Sequence, residues 1–370
     1  MINNHGYSDL VINDMLRMKG GSRKVSFRFD LINKDEVKIG ELDCISARVR
    51  FDENRAIARS AVFVVPGYEA RDVDFLSHMI KPWFILEVEE GKTVEWPLGL
   101  FILGSPRREF NDGASTVKIG AYDRTMILEE DRFTERFYIS RGTAYAGAVE
   151  RILNTSGIIE SNIAQSDYAL VDDIEYPAGM RKRQVINTLL RCMNYSPVFA
   201  DENGVITAFS YIMPGDRGVN ISYSSKRDSI IYPRLEESLE MAGTPNVYVC
   251  VASNVERAEI RSVYENNDQS SPFSIQRRGR RIVDYAEIDN ITSQELLDLY
   301  AKRTAVERTA ACDRLSFSTV LMPGHGFSTT LLLDIPEVLD EPARFSECAW
   351  DMDLRYDGEM RHEVRRVITL

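Results

Sequence analysis

Histidines are the first candidates for chemistry, because imidazole is the commonest general base near neutral pH and a frequent metal ligand. The four histidines are His5, His78, His325 and His362, and no two of them have HxxxH or HxH spacing. None has a nearby cysteine that would complete a zinc site. His325 lies in Pro323-Gly324-His325-Gly326, which is more typical of a turn than of a metal ligand. We therefore expect no catalytic histidine, no metal site and no cofactor.

Other motifs with a chemical mechanism are missing from the sequence. There is no GxSxG nucleophile motif, no GxxxxGK[ST] phosphate loop and no GxGxxG dinucleotide motif. The five cysteines are scattered and include no CxxC, so we interpret them as reduced packing residues. They are Cys44, Cys192, Cys250, Cys312 and Cys348.

Carboxylates are abundant, with 57 Asp and Glu residues in 370. A glycosidase needs only two of them roughly 5 to 9 Å apart, so a β-rich glycan hydrolase remains the alternative function. The visible pairs are Glu129-Glu130, Asp172-Asp173 and Glu236-Glu237, each adjacent in sequence. Adjacent residues of a strand face opposite ways, which favours solvated surface over a catalytic pair. We expect a protein that is not an enzyme.

The densest basic segment is Arg277-Arg278-Gly279-Arg280-Arg281. A nucleic-acid site is disfavoured, because no aromatic residues alternate with the arginines and the formal net charge of the chain is −12. We predict instead that Arg277, Arg278, Arg280 and Arg281 lie in a solvated loop or form a subunit interface with an acidic neighbour. A second basic cluster, Arg181-Lys182-Arg183, opens a predicted helix, where positive charge is unfavourable to the helix dipole, so we expect acidic groups beside it.

The elements that position these residues are mostly strands. Residues 1–135 repeat a period of two, as where Val25, Phe27, Phe29 and Leu31 alternate with polar residues, and this pattern indicates half-buried strands. Asn111-Asp112-Gly113 predicts a hairpin turn. We expect a sheet or barrel here without a substantial helix.

Residues 136–235 change to a helical period. Helices are predicted from Thr143, as the N-cap, to about Ser156, and from about Arg181 to Met193. A hairpin closed by Asn203-Gly204 follows. This helix, helix and hairpin unit is a small α/β insertion.

Residues 236–370 return to strands. The run 246–252 is apolar on both faces and predicts a central strand. A capping box at Thr292 begins a helix that continues to about Ala310, and a strand follows at 315–321. The last 25 residues predict two strands joined at Asp357-Gly358.

These patterns predict a β-rich α+β fold with three units: a first β-barrel at 1–135, the α/β insertion at 136–235, and a second β-barrel at 236–370 with one helix and a C-terminal β-hairpin. No apolar run approaches the ~20 residues that a membrane helix requires, so we expect no membrane segment.

Several segments, taken in order, resemble the tail-hub family of phages and prophages, the group of the myophage baseplate hub and the N-terminal part of siphophage tail-associated proteins. The resemblance extends from Trp96 to His362, and its specificity lies in the order of the segments. They are Trp96-Pro97-Leu98-Gly99-Leu100-Phe101-Ile102-Leu103, Ala121-Tyr122-Asp123-Arg124, Tyr138-Ile139 through Gly142-Thr143-Ala144-Tyr145 with Ala148-Val149 and Ile152-Leu153, Asn203-Gly204-Val205, Asn246-Val247-Tyr248-Val249 with Ser253-Asn254, Ser271-Pro272-Phe273-Ser274 with Arg278-Gly279-Arg280, and Met360-Arg361-His362.

The resemblance implies a homotrimer whose two tube-like barrels per subunit present six similar domains to a hexameric tail tube. The implied partners are the tail tube or distal tail protein ring, the tail tip or spike protein and the tape-measure protein, with DNA passing through without specific binding. The implied location is the virion tail, assembled in the bacterial host cytoplasm. Some hubs carry a fused lysozyme, peptidase or fibre region, and we expect none here after Leu370. A third class, a cellular β-sandwich adhesion or assembly module, should lack the helices between residues 143 and 193.

Overall fold

The computed structural model describes residues 5–18, 23–111, 113–226, 229–240, 242–254, 257–269, 271–288, 291 and 293–368. Strands dominate these residues, and six α-helices are interspersed with them. The predicted β-rich α+β class is confirmed. None of the helices in the described part of the chain is long and apolar enough to cross a membrane.

Eight strands form the first block. They are β1 (Val25–Ile32), β2 (Lys38–Glu41), β3 (Ser46–Asp52), β4 (Arg59–Pro66), β5 (Met79–Glu89), β6 (Lys92–Pro97), β7 (Phe101–Asn111) and β8 (Ala114–Asp123). The period of two in the sequence becomes one buried face, as in β3, where Ala47, Val49 and Phe51 are buried and their neighbours are not. The predicted hairpin joins β7 to β8, with Asn111 opposite Ala114; Asp112 lies outside the described residues.

This block also contains two short helices that the sequence did not predict, α1 (Asp9–Leu16) and α2 (Thr125–Glu130). Helix α1 begins at the N-cap Ser8, whose hydroxyl accepts a hydrogen bond from the backbone N–H of Val11. Its Ile12 and Leu16 pack into the core of the first block. With two apolar anchors in eight residues, α1 is too short for a clear helical period in the sequence.

Six strands form the second block. They are β14 (Ile221–Ser224), β15 (Ile231–Leu239), β19 (Asp313–Val320), β20 (Thr330–Asp334), β21 (Ala343–Asp353) and β22 (Glu359–Arg366). The two C-terminal strands were predicted, as was their turn at Asp357-Gly358. Trp350, Met352 and Leu354 are buried together on one face.

The two blocks are joined edge to edge by β3 and β21, whose ladder runs from Asp52 opposite Ala349 to Arg48 opposite Asp353. The strand order is β15-β19-β22-β21-β3-β4-β8-β7-β5-β1-β2, with β6 on β5, β20 on β21 and β14 on β20. Buried residues from both blocks form one hydrophobic cluster. Strands β2 and β15 are the two ends of this order, and no ladder between the described strands joins them. The division into two barrels stays a prediction.

An α/β unit lies between the two blocks in sequence. Its elements are β9 (Phe137–Ile139), α3 (Tyr145–Thr155), β10 (Ser161–Ile163), β11 (Ile174–Tyr176), α4 (Lys182–Cys192), β12 (Phe199–Ala200) and β13 (Ile206–Ala208). The helices pack together over a separate core that includes Val149, Ile186 and Leu190. Thr143 is not the helix cap, because the N-cap position of α3 is Ala144 and no side chain caps it. Gly204 in the hairpin has φ +90°, which favours glycine.

The predicted unit boundary at residue 235 falls inside β15. Strands β14 and β15 pair with β20 and β19, and the buried Tyr223 of β14 packs into the core of the large sheet, so this segment belongs with the second block. None of the nine residues of β15 is buried, so its sequence carries little alternation.

A three-stranded sheet of β16 (Val247–Asn254), β17 (Arg257–Glu265) and β18 (Val283–Glu287) stands apart from the large sheet. Strand β16 is central, as predicted. Helix α6 (Gln294–Ala310) covers one face, and the short α5 (Ile275–Arg278) precedes β18. The N-cap of α6 is Ser293, which accepts from the N–H of Leu296; Thr292 lies outside the described residues.

Candidate functional site

Two histidines and a glutamate meet in the core of the second block. The His–Glu–His cluster consists of His325, which follows β19, Glu347 on β21 and His362 on β22. The Nδ1 atom of His325 lies 2.6 Å from Oε2 of Glu347, and Nδ1 of His362 lies 2.7 Å from Oε1. The β21–β22 ladder brings the last two together, since it sets Trp350 opposite His362 and shifts register beside Glu347. All three side chains are fully buried.

The outer ring nitrogens of the cluster also have partners. Nε2 of His325 lies 2.9 Å from the Tyr223 hydroxyl, and Nε2 of His362 lies 2.9 Å from Oγ1 of Thr319. Burial alone would raise the pKa of Glu347, but the charge of His325 and the close Nδ1 contacts of both histidines lower it, so the carboxyl is ionised. Burial lowers the pKa of His362. The cluster is thus a closed polar network in an apolar core.

A cleft of about 920 Å³ lies where the first block, the α/β unit and the second block meet. His325 lines it from one side, and Arg59, Trp83, Trp96 and Phe199 contribute from the others. Arg59 is itself buried, and burial lowers its pKa. The guanidinium donates to the backbone carbonyl of Leu98 at 3.3 Å and lies over the rings of Phe51 and Trp350. Arg59 therefore joins β4 to β21 through aromatic contacts.

The adjacent carboxylate pairs of the sequence lie in ion pairs, hydrogen bonds or exposed positions. Glu129 binds Arg181 at 2.7 Å, and Asp173 accepts a hydrogen bond from the backbone N–H of Arg141. Glu236 and Glu237 are both exposed on β15. The exposed positions of Asp173, Glu236 and Glu237 agree with the interpretation as solvated surface, whereas Glu129 is held in an ion pair.

The arginine run lies at the end of α5 and in the segment that leads into β18. Arg277, Arg280 and Arg281 are exposed, and Arg281 pairs with Glu265 at 2.8 Å. Arg278 is half-buried: its guanidinium donates to the backbone carbonyl of Thr244 at 2.7 Å and lies over the Phe273 ring. Arg278 is therefore half-buried and held by its own chain, while the side chains of the other three are exposed, that of Arg281 in an ion pair with Glu265.

An exposed apolar strip adjoins these arginines on the sheet face opposite α6. Val263 and Tyr285 flank Val249 in register, and Val283 lies opposite Val247. Val263 is 45% exposed, Val283 54% and Tyr285 57%. These residues lie on, or just before, the two strands that flank β16. We call Val263, Val283, Tyr285, Arg280 and Arg281 the β16 surface. It combines an apolar centre with a basic edge.

The second basic cluster has the acidic neighbours that the sequence led us to expect. Nζ of Lys182 lies 2.6 Å from Oδ2 of Asp131, and Arg181 and Arg183 both bind Glu129. These pairs offset the positive charge at the N-terminus of α4. That prediction is confirmed.

Comparison with known proteins gives structural relatives only. No family model matches the sequence, and no curated protein matches it. The tail protein from Neisseria meningitidis MC58 superposes with a TM-score of 0.66 at 12% identity, over 92% of this chain and 97% of that one. The 43 kDa tail protein of prophage MuSo2 from Shewanella oneidensis gives 0.63 at 10% identity, over 92% and 98%. Prophage tail protein gp18 from Listeria monocytogenes EGD-e gives 0.56 at 11% identity, over 91% and 94%.

The chain has the fold of phage tail proteins. The resemblance stated from the sequence is confirmed at the level of this tail-protein fold, which spans the chain nearly from end to end. Sequence reasoning missed the His–Glu–His cluster, because its members are 22 and 15 residues apart. One signal was present: His362 occupies an inward position of β22 between the buried Met360 and Val364.

Proposed function

We propose that this chain is a non-enzymatic structural protein of a phage-type tail. It acts as a homotrimeric hub that joins a hexameric tail tube to the tail tip. The observation that carries the proposal is the extent of the structural match, which takes in more than nine tenths of this chain and of each tail protein compared. A match of that extent includes both sheet blocks, the α/β unit and the small sheet.

The role of such a hub is to match two symmetries. Three subunits with two similar blocks each present six blocks, which can bind the six subunits of a tube ring. It needs large complementary interfaces and no reactive group. The partners are the tube or distal tail ring, the tip or spike protein and the tape-measure protein, and the genome passes through the centre. The protein resides in the virion tail after assembly in the host cytoplasm.

The β16 surface is our candidate for a contact between subunits. Interfaces are enriched in aromatic residues and arginine at the expense of other charged residues, and this surface offers Tyr285, Val263 and Val283 beside Arg280 and Arg281. Acidic residues exceed basic ones by 57 to 45 in this chain, so another copy is a suitable acidic neighbour. In the trimer the arginine run points away from the channel.

The test of the proposal is the mass in solution. Light scattering coupled to size-exclusion chromatography should give three times the 42.2 kDa of one chain, and electron micrographs should show a three-fold ring. The same preparation should release no sugar from peptidoglycan or capsular glycan. An active monomer would instead support the glycan hydrolase.

Variants of the β16 surface test the interface separately. Tyr285→Asp together with Arg280→Glu should convert the trimer to monomers without loss of secondary structure. Tyr356→Asp with Arg107→Glu is the matched control, because Tyr356 is 80% exposed and the Arg107 side chain equally so, both remote from β16 in the chain. If the first pair leaves the trimer intact, the contact lies elsewhere.

A further inference from the structure

We propose that His325, Glu347 and His362 bind one divalent transition-metal ion of the zinc class, held by both Nδ1 atoms and the carboxylate. The site is structural and lies in the core of the second block. It goes beyond the proposed hub function, which requires no metal.

The hydrogen atoms available to the cluster favour a cation at its centre. Oγ1 of Thr319 donates its single hydroxyl hydrogen to the backbone carbonyl of Val320 at 2.7 Å. It therefore faces His362 with a lone pair, and Nε2 of His362 carries the hydrogen of their 2.9 Å contact. In a neutral imidazole the other nitrogen, Nδ1, is then unprotonated. That lone pair points at a carboxylate oxygen 2.7 Å away, an arrangement that needs a positive charge between the two atoms.

The donor set suits a metal ion. Two imidazole nitrogens and one carboxylate supply three N and O ligands, the His2Glu set that zinc binds together with a fourth ligand from outside the protein. The candidate ligand atoms lie within 4.8 Å of one another. Bonds of ~2.0 to 2.2 Å place neighbouring ligands of a tetrahedral ion roughly 3.3 Å apart, so the present 2.6 and 2.7 Å separations would widen by less than 1 Å.

The surroundings supply a second shell. Histidine ligands commonly hold their orientation through a hydrogen bond at the other ring nitrogen, and Tyr223 and Thr319 occupy those positions. The cleft borders His325, whose side chain is itself fully buried. With all protein donors turned inward and fully buried, the ion would tie β21 and β22 to the segment after β19.

The first experiment uses the unaltered protein. After dialysis against EDTA and return of zinc chloride, elemental analysis should find about one zinc per chain. Zinc at about 100-fold its dissociation constant should raise the melting temperature by roughly 3 to 4 °C. Crystals should show an anomalous peak within bonding distance of both Nδ1 atoms. A wild-type protein that binds less than about 0.1 zinc per chain and melts unchanged overturns the proposal, and the cluster then holds a proton.

Variants locate the ion. Glu347→Gln should abolish zinc binding, and Thr319→Val, which removes the acceptor for Nε2 of His362, should weaken zinc affinity about 10- to 100-fold in competition with a chelator. Thr188→Val is the control, since the Thr188 hydroxyl donates only to a carbonyl of its own helix on the surface of α4. Equal affinity in the two threonine variants would contradict binding at this cluster.

Discussion

The Lys182 ammonium at the start of α4 is buried, and the strength of its ion pair with Asp131 can be calculated from the structure. The Lys182 side chain is 8% exposed, and its Nζ lies 2.6 Å from Oδ2 of Asp131 and 3.1 Å from the carbonyl of Thr155. Two unit charges 2.6 Å apart attract by about 6 kcal/mol at an effective dielectric constant of ~20. Removing the Asp131 charge costs less than this, because Asp131 is 32% exposed. Water and the Thr155 carbonyl then still stabilise the Lys182 ammonium.

Asp131→Asn should therefore lower the free energy of unfolding by about 3 kcal/mol, the lower end of the range for a buried pair that loses one partner. Urea denaturation followed by circular dichroism measures the loss. Lys182→Met in the same background should restore much of it, because an apolar chain of similar length leaves no unpaired charge. Glu175→Gln is the control: Glu175 pairs with Arg136 at the surface, 48% and 78% exposed, and its loss should cost less than about 0.5 kcal/mol.

The same pair predicts a pH dependence. Burial would raise the pKa of Asp131, but hydrogen bonds from Lys182 and Ser156 lower it below its ordinary value of 3.8. A carboxyl with a lowered folded-state pKa contributes its full stability above the unfolded-state pKa and loses it as the pH falls through the folded-state pKa. The difference between wild type and Asp131→Asn should thus be constant above pH 5 and shrink below about pH 4. A difference that does not change with acid, or an Asn variant as stable as wild type, would refute the reasoning.

Three further outcomes are expected. Trp350→Ala should cost about 3 to 5 kcal/mol in urea unfolding, since Trp350 is 2% exposed, while Tyr356→Ala at the surface should cost less than about 0.5 kcal/mol. Gly358→Ala should destabilise the β21–β22 hairpin by roughly 2 kcal/mol or more, because a Cβ there would lie 1.9 Å from the Asp353 carbonyl oxygen; Gly40→Ala meets nothing within 4 Å and should melt like wild type. Gel-shift assays at physiological salt should detect no DNA binding, given the net charge of −12, and tight binding with a steep salt dependence would contradict the charge argument.

The sequence predicted the fold well in segments where the hydrophobic residues repeat with a single period, either two or 3.6 residues. The alternation of Val25, Phe27, Phe29 and Leu31 located β1, and the 3.6-residue period located α3 and α4 to within two residues. The prediction of Thr143 as the N-cap was wrong by one position, because the sequence does not distinguish a threonine at the N-cap from a threonine just before it. The helix α1 has only Ile12 and Leu16 as buried anchors, too few to define a period.

The polar centre of the second block could not be predicted, because it depends on strand register. His362 meets Glu347 only because β22 pairs with β21, and Tyr223 reaches His325 from 102 residues away. Spacing rules for metal ligands describe sites built on one local element, whereas this cluster draws on several. The exposed arginines were identifiable as a charge run, but the half-buried Arg278 differs from them through Phe273 and Thr244, which the run does not reveal.

The β3–β21 ladder can form only late in the synthesis of the chain, because β21 lies near the C-terminus and β3 near the N-terminus. Ribosomes add roughly 5 to 20 residues per second, so the nearly 300 residues that separate the end of β3 from the start of β21 take about 15 to 60 s to synthesise. During that interval the nascent first block can fold, yet one edge of β3 has no strand beside it. An open edge is a template for pairing with another chain. On a polysome, where nascent copies lie close together, β3 of one copy competes with its neighbours until its own β21 emerges.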